Sequence, residues 1–398
     1  MKTIHLHRAC PVCGNTRGER LRTIHMCLPE GNPLPPQYDV AACVECGFTF
    51  ADTPATQETY NEYYTHHNMY SESAALKKTD VSSRPAFAHM LDLIRGKLPP
   101  DAAILDVGCG SGDFLSYLYE HGCRRLCGLD PSPASIACLE SRYAGGGVKS
   151  PITGRVGNLF DKTPEPFRHA FDLVVSTSVI EHIRDLTGYL EHIQAFLKPE
   201  GYFLVDAPAV EGMPQRLFPV PNYFNHEHIN YFSKTSLDNL LGGAGMVRVN
   251  EEVYAEESGE LTLHGLYRLG CAPRPWQKDP SSRQAIAEYF QKIDAAQQGK
   301  PSVPALLRDH SRLILWGAGS YAMQILAEYP DLIAHVECFI DNNSTKCGHC
   351  IQGKPILLPT ALQQQQLPYP ILLCAMRNID DIRRQIAGMG IPNPVYEI

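Results

Sequence analysis

The sequence lacks the long apolar runs and the basic clusters that are typical of membrane proteins and of nucleic-acid-binding proteins. No apolar stretch approaches the roughly 20 residues that a membrane-spanning helix needs. Lys and Arg number 35 against 43 Asp and Glu, which gives a formal net charge of -8. This balance argues against a nucleic-acid backbone or an anionic membrane as the main partner. We therefore expect a small-molecule substrate, and the oligomeric state stays open.

The sequence also lacks the features of a secreted protein. Its N-terminus, MKTIHLHRACPVCG, has no apolar core of a signal peptide and leads directly into cysteines. The 14 cysteines in 398 residues are far below the density of a disulfide scaffold. We expect a protein of the reducing cytoplasm, with about two or three domains for this length.

Four of the cysteines form two CxxC pairs, each followed by glycine. Cys10 and Cys13 lie in CPVCG, and Cys43 and Cys46 lie in CVECG. Each CxxC directs two thiolates towards one point, and two such pairs complete the tetrahedral set that zinc prefers. Redox-active or incidental cysteines would not require this paired spacing. The sequence predicts a zinc-binding module over residues 1–70, structural because four thiolates leave no open position on the metal.

A strand, a glycine turn and a helix follow one another in the segment AILDVGCGSGDFL. The strand is predicted over residues 103–107, and an amphipathic helix is predicted from about Asp113. Between them, Gly108, Gly110 and Gly112 form a GxGxG turn. Such glycines allow a ligand to approach the backbone closely at the carboxyl end of a parallel strand.

Two kinds of nucleotide-binding fold share a glycine turn of this type with an acid after the next strand, and Asp113 and Asp106 separate them here. Asp130 ends the next strand, RLCGLD, where a carboxylate can accept hydrogen bonds from both ribose hydroxyls. The dinucleotide fingerprint requires a third glycine where this sequence has Asp113. Asp106, directly before the turn, suits a ligand with an ammonium and a sulfonium better than a pyrophosphate.

The segments LDVGCGSGDFL, GLDPSPASI, FDLVVSTSVIEHI and FLKPEGYFLVDAP occur in this order over about residues 100–210. Together they resemble a class I S-adenosylmethionine-dependent methyltransferase. The resemblance implies an α/β fold for residues 71–272, with a central seven-stranded Rossmann-like sheet. The sheet would end in an antiparallel hairpin formed by MVRVNEEVYA and ELTLHGLYRLG.

The same resemblance implies a set of S-adenosylmethionine-binding residues. The three glycines of the turn would pass beneath the methionine moiety, and Asp130 would bind the ribose. Asn158 and Leu159, in VGNLFD, would lie at the adenine, with Asn158 where the family often has Asp. Ser176 would face the methyl group that is transferred.

A second α/β unit is predicted at the C-terminal end. A linker and a helix over residues 273–302 precede a smaller Rossmann-like domain over residues 303–398. Its strand–turn–helix segment RLILWGAGSYAMQILAEY carries Gly317 and Gly319, and the next strand ends in Asp341. Two interpretations stay open: the glycines serve only a tight turn, or the domain holds the nucleotide or phosphate of a substrate. The missing third glycine argues against a nicotinamide cofactor.

The segment NHEHINYFS places His226, Glu227 and His228 in three consecutive positions. The two histidines alone are a poor metal site, because neither a strand nor a helix makes side chains at i and i+2 converge on one ion. A solvated loop is one alternative. The other is an acid–base centre, because the segment follows a predicted strand whose carboxyl end should border the ligand.

The three parts in this order, together with HEHxxYFS, resemble the zinc-containing C-methyltransferases that modify nucleotide-linked keto-deoxysugars. That resemblance implies that His228 removes a proton next to a ketone and that Glu227 orients its imidazole. His226 or Tyr70 would stabilise the resulting enolate oxygen. The family usually has Tyr where this sequence has Asn225. The alternative is an O-methyltransferase in which His228 deprotonates a hydroxyl of a sugar or another metabolite.

Overall fold

A computed structural model of the protein describes residues 3–66, 85–143, 150–256, 259–375 and 379–398. These residues form three β-sheets with helices between and around the strands. Within these ranges no helix is both long and apolar enough to cross a membrane.

The strands are β1 (Thr3–His5), β2 (Arg17–His25), β3 (Gln37–Cys43), β4 (Thr49–Asp52), β5 (Ala103–Val107), β6 (Arg125–Asp130), β7 (Ile152–Val156), β8 (Phe171–Ser176), β9 (Leu197–Pro208), β10 (Asn230–Tyr231), β11 (Met246–Ala255), β12 (Leu261–Leu269), β13 (Leu313–Trp316), β14 (Val336–Ile340), β15 (Cys350–Ile351), β16 (Lys354–Leu357), β17 (Ile371–Leu373) and β18 (Val395–Tyr396). The α-helices are α1 (Gln57–His66), α2 (Pro85–Ile94), α3 (Asp113–Glu120), α4 (Pro133–Ser141), α5 (Leu186–Phe196), α6 (Val220–Tyr223), α7 (Lys234–Gly243), α8 (Ser281–Gln297), α9 (Val303–Asp309), α10 (Ser320–Glu328), α11 (Leu332–His335), α12 (Thr360–Gln365) and α13 (Ile379–Gly388).

The central sheet has seven strands in the order β11-β12-β9-β8-β5-β6-β7, which confirms the predicted sheet. Strands β5 to β9 are parallel, and β12 and β11 continue the sheet as the predicted antiparallel hairpin. β5 is buried at all of its residues, as expected for a parallel strand covered on both faces. The strand order reverses beside β5, between β6 and β8, and ligands of such folds bind at the carboxyl ends there.

A five-stranded sheet, in the order β1-β2-β3-β4-β10, contains the cysteine pairs at its turns. Its last strand comes from a distant part of the chain, since β10 pairs with β4 through Asn230 opposite Phe50 and Tyr231 opposite Thr49. Next to β10, the Phe232 ring lies 5.3 Å from the Phe48 ring. These aromatic residues belong to one buried cluster with residues of the central sheet, so the two sheets share a core.

Residue contacts divide the chain into two compact units, each assembled from three segments. The first unit contains residues 1–21, 41–216 and 227–286, and the second contains residues 22–40, 217–226 and 287–398. The boundaries expected from the sequence, at residues 70, 272 and 302, stay predictions. The segments 22–40 and 217–226 group with the C-terminal chain although they are far from it in sequence.

The sheet of the second unit has the order β15-β16-β14-β13-β17-β18, with β13 between β14 and β17. Gly317 directly follows β13 with φ of 116°, and a Cβ atom there would lie 2.5 Å from the Cys374 carbonyl oxygen. Asp341, at the end of β14, accepts a hydrogen bond from the Ala318 amide at 3.0 Å and pairs with Lys346 at 3.1 Å. Close packing of the backbone therefore explains the glycine at position 317. The Asp341 carboxylate stabilises the turn after β13.

A buried histidine lies in the outer part of the central sheet. His264, on β12, is opposite Asp206 of β9 and Glu252 of β11, and only 1% of its surface is exposed. Neither ring nitrogen has a hydrogen-bond partner among the described residues. Burial, and then the nearby His89, lower the pKa of His264 from 6.5 to about 4. The folded protein therefore holds this imidazole neutral.

We predict that His264→Phe reduces the loss of stability in mild acid. Between pH 6.5 and about 4, the unfolded chain binds a proton at His264 that the folded chain cannot, so stability falls as the pH falls. The shift corresponds to about 3 kcal/mol at most. Urea unfolding at neutral and acidic pH would measure the difference, with His5→Phe, at an exposed position, as the control. Equal acid sensitivity of His264→Phe and wild type would contradict this prediction.

Candidate active site

Buried carboxylates occupy the carboxyl ends of β5 and β9, where the strand order predicts the ligand crevice. Asp106 is 1% exposed, and its Oδ1 has no hydrogen-bond partner in the described part of the chain. Burial, then Asp130 and Asp206, raise the pKa of Asp106 well above its ordinary value. Burial also raises the pKa of Asp206 to about 7. A cationic ligand would relieve this concentration of negative charge.

The glycine turn after β5 leaves room for a ligand and fixes the neighbouring acid. Gly110 has φ of 51°, and a Cβ atom there would meet none of the described atoms within 4 Å. Its amide donates to Asp130 Oδ2 at 2.9 Å, and the Ser132 amide donates to Oδ1 at 2.8 Å. Asp130 is thus held rigidly, and each of its oxygens keeps a further lone pair for a ligand hydroxyl.

Three further residues predicted to bind the cofactor make internal contacts. Asn158 Oδ1 accepts a hydrogen bond from the Phe160 amide at 3.0 Å, and Leu159 is buried. The Ser176 hydroxyl, at the end of β8, accepts a hydrogen bond from the Tyr189 hydroxyl at 2.8 Å. The predicted contacts of these residues with adenine and the methyl group stay predictions.

The loop after β8 brings two side chains to the site that the sequence analysis did not single out. A single 3-10 turn, Ile180–His182, presents Glu181 and His182. Glu181 is 2% exposed, and its Oε2 lacks a hydrogen-bond partner within the described residues. Burial, then Asp206, raise the pKa of Glu181 to about 8. The sequence signal was the pair EH a few residues beyond a strand that ends at the crevice.

His228 lies against this turn. Its ring is perpendicular to the ring of His182, with an angle of 82° and a centroid distance of 4.8 Å. One potential ligand atom from each of Glu181, His182 and His228 lies within 4.8 Å of the others. Burial, then His228, lower the pKa of His182 well below its ordinary value, so His182 is neutral.

Helix α1 supplies two phenols to the same site. The Tyr63 hydroxyl donates to Glu227 Oε1 at 2.7 Å, and Glu227 is 8% exposed. The Tyr64 hydroxyl lies 3.0 Å from His182 Nδ1. Helix α1 therefore holds the side chains of Glu227 and His182 in place.

The two other residues predicted to be catalytic are not among these contacts. His226 belongs to the second unit, where its Nε2 lies 2.7 Å from the Pro35 carbonyl oxygen and its ring packs edge-on against Tyr38. Tyr70 lies outside the described residues. The predicted roles of both in stabilising an enolate stay predictions.

The four cysteines of the two CxxC pairs converge. The Sγ atoms of Cys10 and Cys46 are 3.5 Å apart, as are those of Cys13 and Cys43, and all four lie within 4.8 Å of one another. Tetrahedral zinc with bonds of about 2.3 Å separates its sulfur ligands by roughly 3.8 Å. The donor set and its spacing therefore fit zinc.

A buried arginine connects the cysteine module, the part of the chain from β1 to β4 that contains the two CxxC pairs, to the loop after β8. The Arg8 guanidinium donates to Asn230 Oδ1 at 2.9 Å and to the carbonyl oxygens of Ile183 at 3.4 Å and Arg184 at 2.7 Å. Its amide donates to Asp52 Oδ1 at 2.9 Å. Arg8 thus fixes both the turn that presents His182 and the strand that follows His228.

Residues 82–250 match a family model described as a methyltransferase domain. Over 152 residues the chain is 30% identical to a tRNA U34 carboxymethyltransferase of Aliarcobacter butzleri, covering 37% of this chain and 48% of that protein. It is 31% identical over 110 residues to a ubiquinone biosynthesis O-methyltransferase of Methylobacterium nodulans, covering 27% of this chain and 42% of that protein. The chain thus spans less than half the length of these curated relatives, and its central part is a methyltransferase domain of the α/β class.

Solved structures with a similar fold include other methyltransferases. An S-adenosylmethionine-dependent methyltransferase from Mesorhizobium loti is 19% identical with a TM-score of 0.38, covering 47% of this chain and 99% of that one. The geranyl diphosphate C-methyltransferase of Streptomyces coelicolor A3(2) is 15% identical with a TM-score of 0.41, covering 55% and 100%.

We predict that Arg8→Met destabilises the first unit by roughly 2 to 4 kcal/mol, because two carbonyl oxygens and the Asn230 amide oxygen would lose a buried donor. Urea unfolding monitored by circular dichroism would measure the change. Arg17→Met is the matched control, since the Arg17 side chain makes an exposed 3.9 Å ion pair with Glu45, which should contribute less than about 1 kcal/mol. Similar losses in both variants would show that the Arg8 hydrogen bonds are not important for stability.

Proposed function

We propose that this chain, which carries a methyltransferase domain at residues 82–250, transfers a methyl group from S-adenosylmethionine to a carbon next to the ketone of a nucleotide-linked keto-deoxysugar. The observation that carries the proposal is the pair of perpendicular imidazoles, His182 and His228, at the carboxyl end of the central sheet. Two buried carboxyl groups, Glu181 and Glu227, accompany the pair. This arrangement suits proton transfer in a place protected from solvent.

The crevice at β5, β6 and β9 suits S-adenosylmethionine. The fixed Asp130 carboxylate can accept the ribose hydroxyls, and the open space above Gly110 can receive the methionine moiety. The acidic Asp106 and Asp206 favour the ammonium and the sulfonium. The bound cofactor supplies an electrophilic methyl group, which an aligned nucleophile takes by in-line displacement.

Carbon next to a ketone becomes nucleophilic only after it loses a proton. His228 is the proposed base for that proton, and Glu227, held by Tyr63, is proposed to orient its imidazole. His182 is neutral, and its Nδ1 lies 3.0 Å from the Glu227 carbonyl oxygen, so Nδ1 carries the hydrogen. The role of His182 is to fix the ring of His228 by edge-to-face contact.

Transfer to oxygen is the second candidate function. One relative is, by its name, an O-methyltransferase of ubiquinone biosynthesis. Asn225 also stands where the sugar C-methyltransferases usually have Tyr, and its side-chain amide donates to the Pro221 carbonyl at 3.3 Å. In this alternative, His228 would remove the proton of a hydroxyl group. The two candidates differ in whether a carbon-bound proton exchanges with solvent.

The four converging cysteines are proposed to hold a structural zinc ion. Gly14 and Gly47, which follow the two pairs, have φ of 74° and 83°, as the tight turns beneath a metal require. The cysteine module also contains β4, and β4 pairs with β10 two residues after His228. Zinc would thus stabilise the sheet that holds the base, without contacting the substrate.

We predict that His228→Ala lowers the rates of methyl transfer and of α-proton exchange with solvent by about 100-fold or more, because the variant lacks the proposed base. The assay combines labelled S-adenosylmethionine, a panel of nucleotide-linked 4-keto-6-deoxysugars and heavy water, with intact-mass analysis of the products. His192→Ala, on α5 and outside the site, is the matched control.

The position of the label distinguishes the candidates. Label on carbon, with exchange lost only in His228→Ala, is the expected result. Label on oxygen without exchange would replace the proposal by the second candidate. If no sugar nucleotide accepts the methyl group, the proposed substrate class is wrong.

We predict that Cys46→Ser loses bound zinc and most methyl-transfer activity, and melts at a lower temperature, because three thiolates hold zinc less tightly than four. Metal analysis of the purified protein, thermal unfolding and the isotope assay would measure these three quantities. Cys27→Ser is the control: Cys27 lies between the two pairs in sequence, but its sulfur accepts a hydrogen bond from Gln352. Full zinc content in Cys46→Ser would contradict the assignment.

A further inference from the structure

The turn after β8 and the loop that carries His228 form a second convergent set of metal-ligand side chains, separate from the four cysteines. Glu181 and His182 come from the turn, and His228 comes from a segment about 45 residues further along the chain. Glu181 Oε1 and His182 Nε2 are 3.8 Å apart. Ligand atoms of a tetrahedral ion with bonds of about 2.1 Å lie roughly 3.4 Å apart. A small movement of these side chains would therefore bring the three ligand atoms within bonding distance of one cation.

The hydrogen bonds of His182 orient the ring for this purpose. A carbonyl oxygen can only accept, so the 3.0 Å contact between His182 Nδ1 and the Glu227 carbonyl places the hydrogen on Nδ1, and the Tyr64 hydroxyl oxygen, also 3.0 Å from Nδ1, is then a second acceptor. The lone pair is then on Nε2, which faces Glu181. Metal-binding histidines in proteins are usually held in this way, with the second ring nitrogen donating to a carbonyl or carboxylate.

Glu181 provides an independent observation. It is 2% exposed, and its Oε2 has no hydrogen-bond partner in the described ranges of the chain. A buried carboxylate oxygen without a donor is costly, and a cation would supply the missing partner.

We propose that Glu181, His182 and His228 bind a divalent first-row transition-metal ion. Two imidazoles and one carboxylate are the donor set that such ions prefer, whereas magnesium and calcium prefer oxygen ligands. Three protein ligands leave open positions on the ion for oxygen atoms of a bound molecule.

The consequence for activity rests on the proposed function. The lone pair with which His228 would bind the ion is not available to accept a proton. A bound ion is therefore expected to suppress the α-proton exchange that His228 catalyses. The site can then either bind the metal ion or abstract a proton, but it cannot do both at once.

The test uses the full chain with zinc in its cysteine site, dialysed against cobalt chloride. We expect one additional cobalt ion per chain, with visible absorption bands but without the sulfur-to-cobalt charge-transfer band that a cysteine site would give. In Glu181→Gln and His182→Gln the affinity for this cobalt should fall by at least about tenfold. Glu211→Gln is the matched control, since Glu211 also has a buried Oε2 without a hydrogen-bond partner among the described residues but lies outside the group.

Circular dichroism and melting temperature establish that each variant is folded, and the two variants test the same site independently. Failure of the wild type to bind cobalt beyond the cysteine site would overturn the proposal, as would equal binding by both ligand variants. Proton exchange measured on the same samples, with and without cobalt, tests the proposed function separately. If the protein binds cobalt but shows no exchange even in the cobalt-free sample, the metal site stands and the base role of His228 is removed.

Discussion

The pairing of β10 with β4, secured by the buried side chain of Arg8, is the constraint on which the site depends. Burial lowers the pKa of Arg8 to about 9, yet the guanidinium stays charged at neutral pH. Its hydrogen bonds reach Asn230 on β10 and the carbonyl oxygens that follow His182. One cation thus joins three chain segments that are more than 40 residues apart. The two histidines of the site are positioned by the cysteine module as much as by the methyltransferase sheet.

The crevice combines burial with negative charge, and this combination is unfavourable without a ligand. Asp106, Asp206 and Glu181 all have raised pKa values, with burial as the largest cause. A ligand that carries positive charge reduces the cost of keeping these carboxylates ionised away from water. In the proposed function, the carboxylates that would recognise the sulfonium cofactor are the same ones that reduce the stability of the free protein.

The segment NHEHINYFS is divided between the two compact units. His226 contacts Pro35 and Tyr38 in the second unit, while Glu227 contacts Tyr63 in the first. The side chains of this segment therefore do not form one local cluster. The partners of His228 come from the turn after β8, and this is why local spacing within the motif did not predict a set of metal ligands.

The sequence by itself determined the strand–turn–helix at residues 103–120 and the grouping of the four cysteines, and the resemblance to methyltransferases implied the terminal hairpin. Periodicity, glycine positions and CxxC spacing are local signals, and local sterics and ligand geometry fix their outcome. The tertiary structure alone decided that β10 joins the N-terminal sheet and that Glu181 and His182 meet His228. These contacts join residues more than 40 positions apart. They depend on the packing of whole sheets and on the buried Arg8, which no local pattern in the sequence encodes.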